Sequence, residues 1–112
     1  MDAAEKKALE QAVYDIVRLI PPGRATSYGA IARAVGFSNF SRMVGRIMSQ
    51  CDSASTGVPA HRVINSKGIL TAAAAFGPAG RMQQLLEAEG VEVRSGRIVN
   101  WKRVFWDPMQ EI

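Results

Sequence analysis

The sequence predicts a mostly α-helical fold with a small β component, organised around a helix-turn-helix. Three observations carry that expectation. Apolar residues recur at helical spacing from Leu9 to Ile20. Two short helical stretches between Tyr28 and Gln50 are joined by a turn containing Gly36. Val63-Ile64 and the segment after Gly90 are apolar runs too brief for helices, and turn residues bound them.

The length of 112 residues suits one domain, residues 1–112, with a core large enough to need no staples. Apolar content of 47% and charged content of 21% are ordinary for a soluble globular chain, and no apolar run approaches the roughly 20 residues of a membrane span. The start, Met1-Asp2-Ala3-Ala4-Glu5, is acidic and helical and does not read as a signal peptide. No membrane partner is expected. One cysteine, Cys51, cannot close an internal disulfide, which fits a reducing, cytoplasmic setting (nucleoid-associated if the source is bacterial). No metal-ligand cluster or cofactor motif is present, so neither metal nor cofactor is expected. The formal charge of +4 permits a polyanionic partner without requiring one.

The first helix is expected from about Ala3 to Ile20, with Asp2 as N-cap and Glu5 at the third helical position. Its apolar stripe is Leu9, Ala12, Val13, Ile16, Val17 and Ile20, and Pro21-Pro22-Gly23 stops it. Residues 23–27 form an extended link. A helix from about Tyr28 to Val35 follows, capped by Ser27 and closed by Gly36; a second runs from about Phe40 to Gln50. Arg42 and Arg46 share a face of the second helix, while Val44, Ile47 and Met48 supply its buried side. Two readings of that basic face stand: a solvated surface on a structural hairpin, or a recognition helix.

Val58-Pro59-Ala60-His61-Arg62-Val63 sits at mid-chain. Pro59 keeps the backbone before it extended, Val63-Ile64 reads as a buried strand, and Asn65-Ser66-Lys67-Gly68 reads as a turn. The only histidine, His61, and Arg62 are thereby held beside apolar residues: a satisfied core histidine with a surface arginine, or part of a site. Residues 69–78 read as a small, apolar loop. Gly80–Glu89 reads as a helix ended by Gly90, with Met82, Leu85 and Leu86 in the core. Val91–Arg94, the turn Ser95-Gly96 and Arg97–Trp101 suggest a hairpin. Trp101, Phe105 and Trp106 either pack the tail, about residues 91–112, onto the domain or contact DNA or another partner.

Pro59-Ala60-His61-Arg62-Val63 resembles the Pro-Cys-His-Arg-Val active-site motif of the O6-alkylguanine-DNA alkyltransferases, in which the cysteine thiolate accepts the alkyl group. Ala60 stands at the cysteine position and has no nucleophile, so the resemblance is to the alkyltransferase-like subfamily. It extends over roughly Ala4 to Gly90: Ser27–Ala32 and Ser41–Gly45 resemble family segments, and Glu89 matches the Leu-Leu-x-x-Glu-Gly pattern. The resemblance implies a helix-turn-helix, winged-helix-like DNA-binding domain like the C-terminal domain of the alkyltransferases, with the helix-turn-helix at about residues 28–50.

It also implies roles. Tyr28 presses on the phosphate of the target nucleotide and lines a lesion pocket with Pro59, Ala60, Arg62 and Val63. Arg42 fills the place of the flipped nucleotide, and the second helix lies in the minor groove. Gly45 and Ser49 let that helix sit close; Arg24, Arg46 and Lys67 are candidate phosphate contacts. Ala60, His61 and Glu89 are a vestigial catalytic set, with His61 and Glu89 surviving as hydrogen-bonding partners that the family links through water. The loop around Ala73 walls the pocket. Cys51 stands near a family asparagine that ties the helical pair to the motif, so that link is not expected here, nor is a reactive thiol.

The function so implied is non-enzymatic: binding duplex DNA with O6-alkylguanine, flipping the nucleotide and passing the lesion to nucleotide excision repair proteins, as a monomer. Two alternatives stand beside it. One is a sequence-specific helix-turn-helix regulator. The other is a residual dealkylating enzyme in which His61 and Glu89 activate water.

Overall fold

The computed structural model describes residues 2–37, 39–50, 56–70 and 80–111. Helix α1 spans Ala3–Leu19; the Glu5 N–H donates to Asp2 Oδ1 at 2.8 Å, so the predicted N-cap forms. Strand β1 (Thr26–Ser27) leads directly into α2 (Tyr28–Ala34), whose Ala30 N–H donates to Ser27 Oγ at 3.1 Å. After the Gly36 turn comes α3 (Ser41–Ser49). Strand β2 is Val63–Ile64, α4 is Arg81–Ala88, β3 is Val93–Arg94 and β4 is Arg97–Ile98; two short helices, α5 (Trp101–Val104) and α6 (Pro108–Glu111), end the described chain. The expected mostly helical, helix-turn-helix architecture is the one observed.

The extended link is more than a linker. β1 pairs with β2 in parallel, Thr26 opposite Val63 and Ser27 opposite Ile64. Phe105 bridges Ala25 on the other side, with the Trp106 N–H donating to Ala25 O at 2.7 Å. This central ribbon separates two cores because successive strand residues face opposite ways. Val63 joins the cluster of Val13, Val17, Ile31, Val44 and Trp106; Ile64 joins that of Ala25, Met82, Leu86, Val93 and Ile98. Trp106, 5% exposed, ties the tail into the first core.

Ala60–Arg62 is a 3₁₀ turn, with the Val63 N–H bonded to Ala60 O, because Pro59 restrains the residue before it and leaves those after it free to turn. Three expectations need correction. Ile69 and Leu70 are paired: Ile69 bridges Arg97, and the Leu70 N–H donates to Gly96 O at 2.8 Å. The hairpin ends before Trp101, which opens α5. Leu85 is only half-buried, since it lies off the face of α4 that carries Met82 and Leu86.

Candidate functional site

Two groups of side chains adjoin the first core. The first belongs to the helical pair. Tyr28 is delivered by β1 at the N-terminus of α2, and Arg42, Gly45 and Arg46 lie on α3. A Cβ built on Gly45 would stand 3.9 Å from each of Cγ, Cδ1 and Cδ2 of Tyr28. A point equidistant from three ring atoms lies over the ring's face, so Tyr28 covers Gly45. Arg42 is one helical turn before Gly45 and shares its face. Arg42 and Arg46 are exposed, and none of the described ion pairs includes them. The structure thus gathers Tyr28, Arg42, Gly45 and Arg46, with Tyr28 seated on Gly45.

The second group surrounds position 60. Ala60 is buried, 3% exposed, in the 3₁₀ turn, and it borders the same core cluster as Tyr28. His61 and Arg62 converge on Glu89 at the C-terminal end of α4. His61 Nε2 lies 2.9 Å from Glu89 Oε2, a direct contact where the resemblance implied a water. Arg62 Nε donates to Glu89 Oε1 at 3.0 Å, Arg62 Nη2 donates to Oε2, and Arg62 Nη1 donates to Ile20 O at 2.8 Å. Burial pushes the Glu89 carboxyl up, but hydrogen bonds from Arg62 and His61 outweigh it and hold the group below its ordinary value. An ionised carboxylate only accepts, so His61 Nε2 carries the proton in this contact. Arg62 also offsets the unfavourable placement of a carboxylate at a helix C-terminus and satisfies the last carbonyl region of α1.

Of the expected pocket residues, Pro59 is half-buried beside Ala60, Val63 is core, and the Arg62 guanidinium is committed to Glu89 and Ile20. The expected pocket wall around Ala73 and the Cys51 position lie outside the described residues. A cavity of about 340 Å³ lies elsewhere, between the Gly23-Arg24 turn, Glu89-Gly90 and Asn100–Val104, and shares no lining residue with the expected pocket. Arg24 is corrected as a phosphate contact: its Nε and Nη2 donate to Val104 O (3.0 Å) and Phe105 O (2.7 Å), and Nη2 lies 3.8 Å from Glu111. Sequence patterns cannot foresee that tie, since its partners are backbone carbonyls from the tail. Among the described residues no group of three His, Cys, Asp or Glu side chains could hold a metal, and no helix is long and apolar enough to cross a membrane.

The profile of the 6-O-methylguanine DNA methyltransferase DNA-binding domain matches residues 8–91. The chain belongs to that family. Within it, this chain is 38% identical over 100 residues to alkyltransferase-like protein 1 of Schizosaccharomyces pombe, covering 86% of this chain and 92% of that one. It is 34% identical to the DNA base-flipping protein of Escherichia coli, covering 92% and 78%. The S. pombe protein's crystal structure in complex with damaged DNA containing O6-carboxymethylguanine superposes with a TM-score of 0.78 at 38% identity, covering 95% of this chain and 98% of that one. The family match ends at Val91, so β3, β4, α5 and α6 lie beyond it.

Proposed function

We propose that this alkyltransferase-like family member is a DNA-damage sensor that modifies nothing. It binds duplex DNA carrying O6-alkylguanine through α3 and rotates the damaged nucleotide toward Ala60, with Tyr28 against the backbone and Arg42 filling the gap. Flipping costs a few kcal/mol, least at a damaged or mismatched pair, so the damaged pair is favoured. The minor groove displays a degenerate pattern, so flanking sequence matters little.

The observation that carries this reading is the combination at the central turn. The His61–Glu89–Arg62 network is intact and partly buried, while the buried residue that leads into it is an alanine. Where the alkyltransferases place a cysteine nucleophile, a methyl group offers no lone pair, so a bound alkyl group stays on the base. The bound lesion then serves as a mark for nucleotide excision repair proteins. The protein acts as a monomer in the cytoplasm.

A gel shift with lesion-bearing and undamaged duplexes, followed by mass spectrometry of protein and DNA, tests this. Preference for the lesion with both masses unchanged is expected, and Arg42→Ala weakens that preference. Equal affinity for both duplexes with strong dependence on flanking sequence points to a sequence-specific regulator; free guanine in the DNA points to a dealkylating enzyme. Either result overturns the proposal.

A further inference from the structure

A second set of cations lies on the β3–β4 hairpin, the turn it packs against and the start of α5. Lys67, Arg97 and Lys102 are exposed, and none of the described ion pairs includes them. Arg94 reaches only Glu92, at 3.7 Å with both side chains exposed. Arg94 and Arg97 stand directly opposite each other in the strand register, a like-charge pairing that weakens a hairpin.

The scaffold under these cations is fixed. The Ile98 N–H donates to Gly68 O at 2.9 Å, and Trp101 Nε1 donates to Ser66 O at 3.0 Å. A Cβ on Gly68 would stand 3.0 Å from Trp101 Cγ, so the indole lies against that turn. Lys67 precedes Gly68, Arg97 precedes Ile98 and Lys102 follows Trp101, so the three charges ride on one knob. Its tip residues Ser66, Ser95 and Gly96 are small or polar and include none of the aromatic anchors that protein partners use.

The parallel register decides which way the knob sits. Ser27 pairs with Ile64, so Tyr28 and Asn65, the next residues of the two chains, leave the ribbon at the same end, about 5 Å apart across the strands. The turn carrying Lys67 therefore emerges beside the residue that leads α2.

We propose that this cationic hairpin is a second phosphate-binding surface, which grips the backbone of the duplex outside the lesion while α3 occupies the groove. The inference rests on the DNA-binding reading above and joins to Lys67 two cations, Arg97 and Lys102, that lie outside the family match. Backbone contacts add affinity and carry no base information. The test is to titrate the full chain and its Lys67→Gln/Arg97→Gln variant with lesion-bearing and undamaged duplexes over a range of salt concentrations. Both duplexes weaken by the same factor, the lesion preference is kept, and the slope of log K against log salt becomes shallower by about 2, one unit for each lost phosphate contact. An unchanged slope and affinity overturns the proposal, including the outcome in which the knob serves an acidic protein instead. Should the double variant melt lower than the parent, Lys102→Gln, outside the strand pairing, is expected to make the slope shallower by about 1. Loss of lesion preference in the unmodified protein counts against the sensor reading, whereas a slope change confined to the variants still speaks for the hairpin.

Discussion

Tyr28 covers Gly45. The tyrosine ring occupies the space over the glycine's missing side chain, at 3.9 Å from an added Cβ. The sequence suggested that Gly45 thins α3 for close approach to DNA; the structure gives it a second duty, as the seat of Tyr28. Substitutions at position 45 separate the two. A methyl at 3.9 Å makes ordinary contact, and glycine within a helix costs about 1 kcal/mol relative to alanine. Gly45→Ala is expected to raise the melting temperature and keep lesion affinity. Gly45→Leu has no such room, displaces Tyr28 and weakens lesion binding. Loss of binding already in Gly45→Ala, with a raised melting temperature, identifies groove clearance as the dominant role.

Glu89 makes stability depend on acid. Its carboxyl titrates below the ordinary 4.5, so as pH falls the unfolded chain takes up this proton first. The contribution is therefore full above that pH and is lost as pH falls through the lower, folded value. Glu89→Gln leaves the Arg62 guanidinium without its counter-charge and costs about 2 kcal/mol near neutrality, the scale for hydrogen bonds to a charged group at a partly buried site. Denaturant unfolding of both proteins from neutral to acid pH checks this: the difference should shrink only at the acid end.

Arg24 holds the tail rather than DNA. Arg24→Ala removes two charge-assisted hydrogen bonds, to Val104 O and Phe105 O, and is expected to cost about 2 kcal/mol. The salt dependence of DNA binding stays as in the parent. A shallower salt slope in this variant would return Arg24 to the phosphate contacts.

Ala60→Cys places a thiol beside the intact His61–Glu89 pair, whose 2.9 Å contact fixes the imidazole. The expected result is slow, stoichiometric transfer of a methyl group from O6-methylguanine DNA to the protein, read as a mass increase of the variant and none of the parent. An unchanged variant mass shows that the surroundings of position 60 no longer align a nucleophile, and leaves binding to be judged by the gel shift.

Local signals were legible wherever neighbours in sequence decide the outcome. Asp2 and Ser27 cap their helices because each side chain reaches a backbone N–H within its own first turn. The Ser95-Gly96 turn forms because both residues take positive φ, 52° and 73°, as a tight hairpin requires. Periodicity assigned Val13, Val17, Val44 and Ile47 to a core, and the motif around Ala60 pointed to the right family.

What sequence alone determined, then, is the four longer helices, the Val63–Ile64 strand, the hairpin turn, the family and the absence of a nucleophile at position 60. Tertiary structure decided who meets whom. Tyr28 over Gly45, Arg24 on the tail carbonyls and Lys67 beside Arg97 each join residues far apart in the chain. Such contacts depend on the parallel pairing of Thr26–Ser27 with Val63–Ile64 and on the burial of Trp106. Pairing and burial at long range carry no local periodicity, because the backbone groups that make them are the same at every residue.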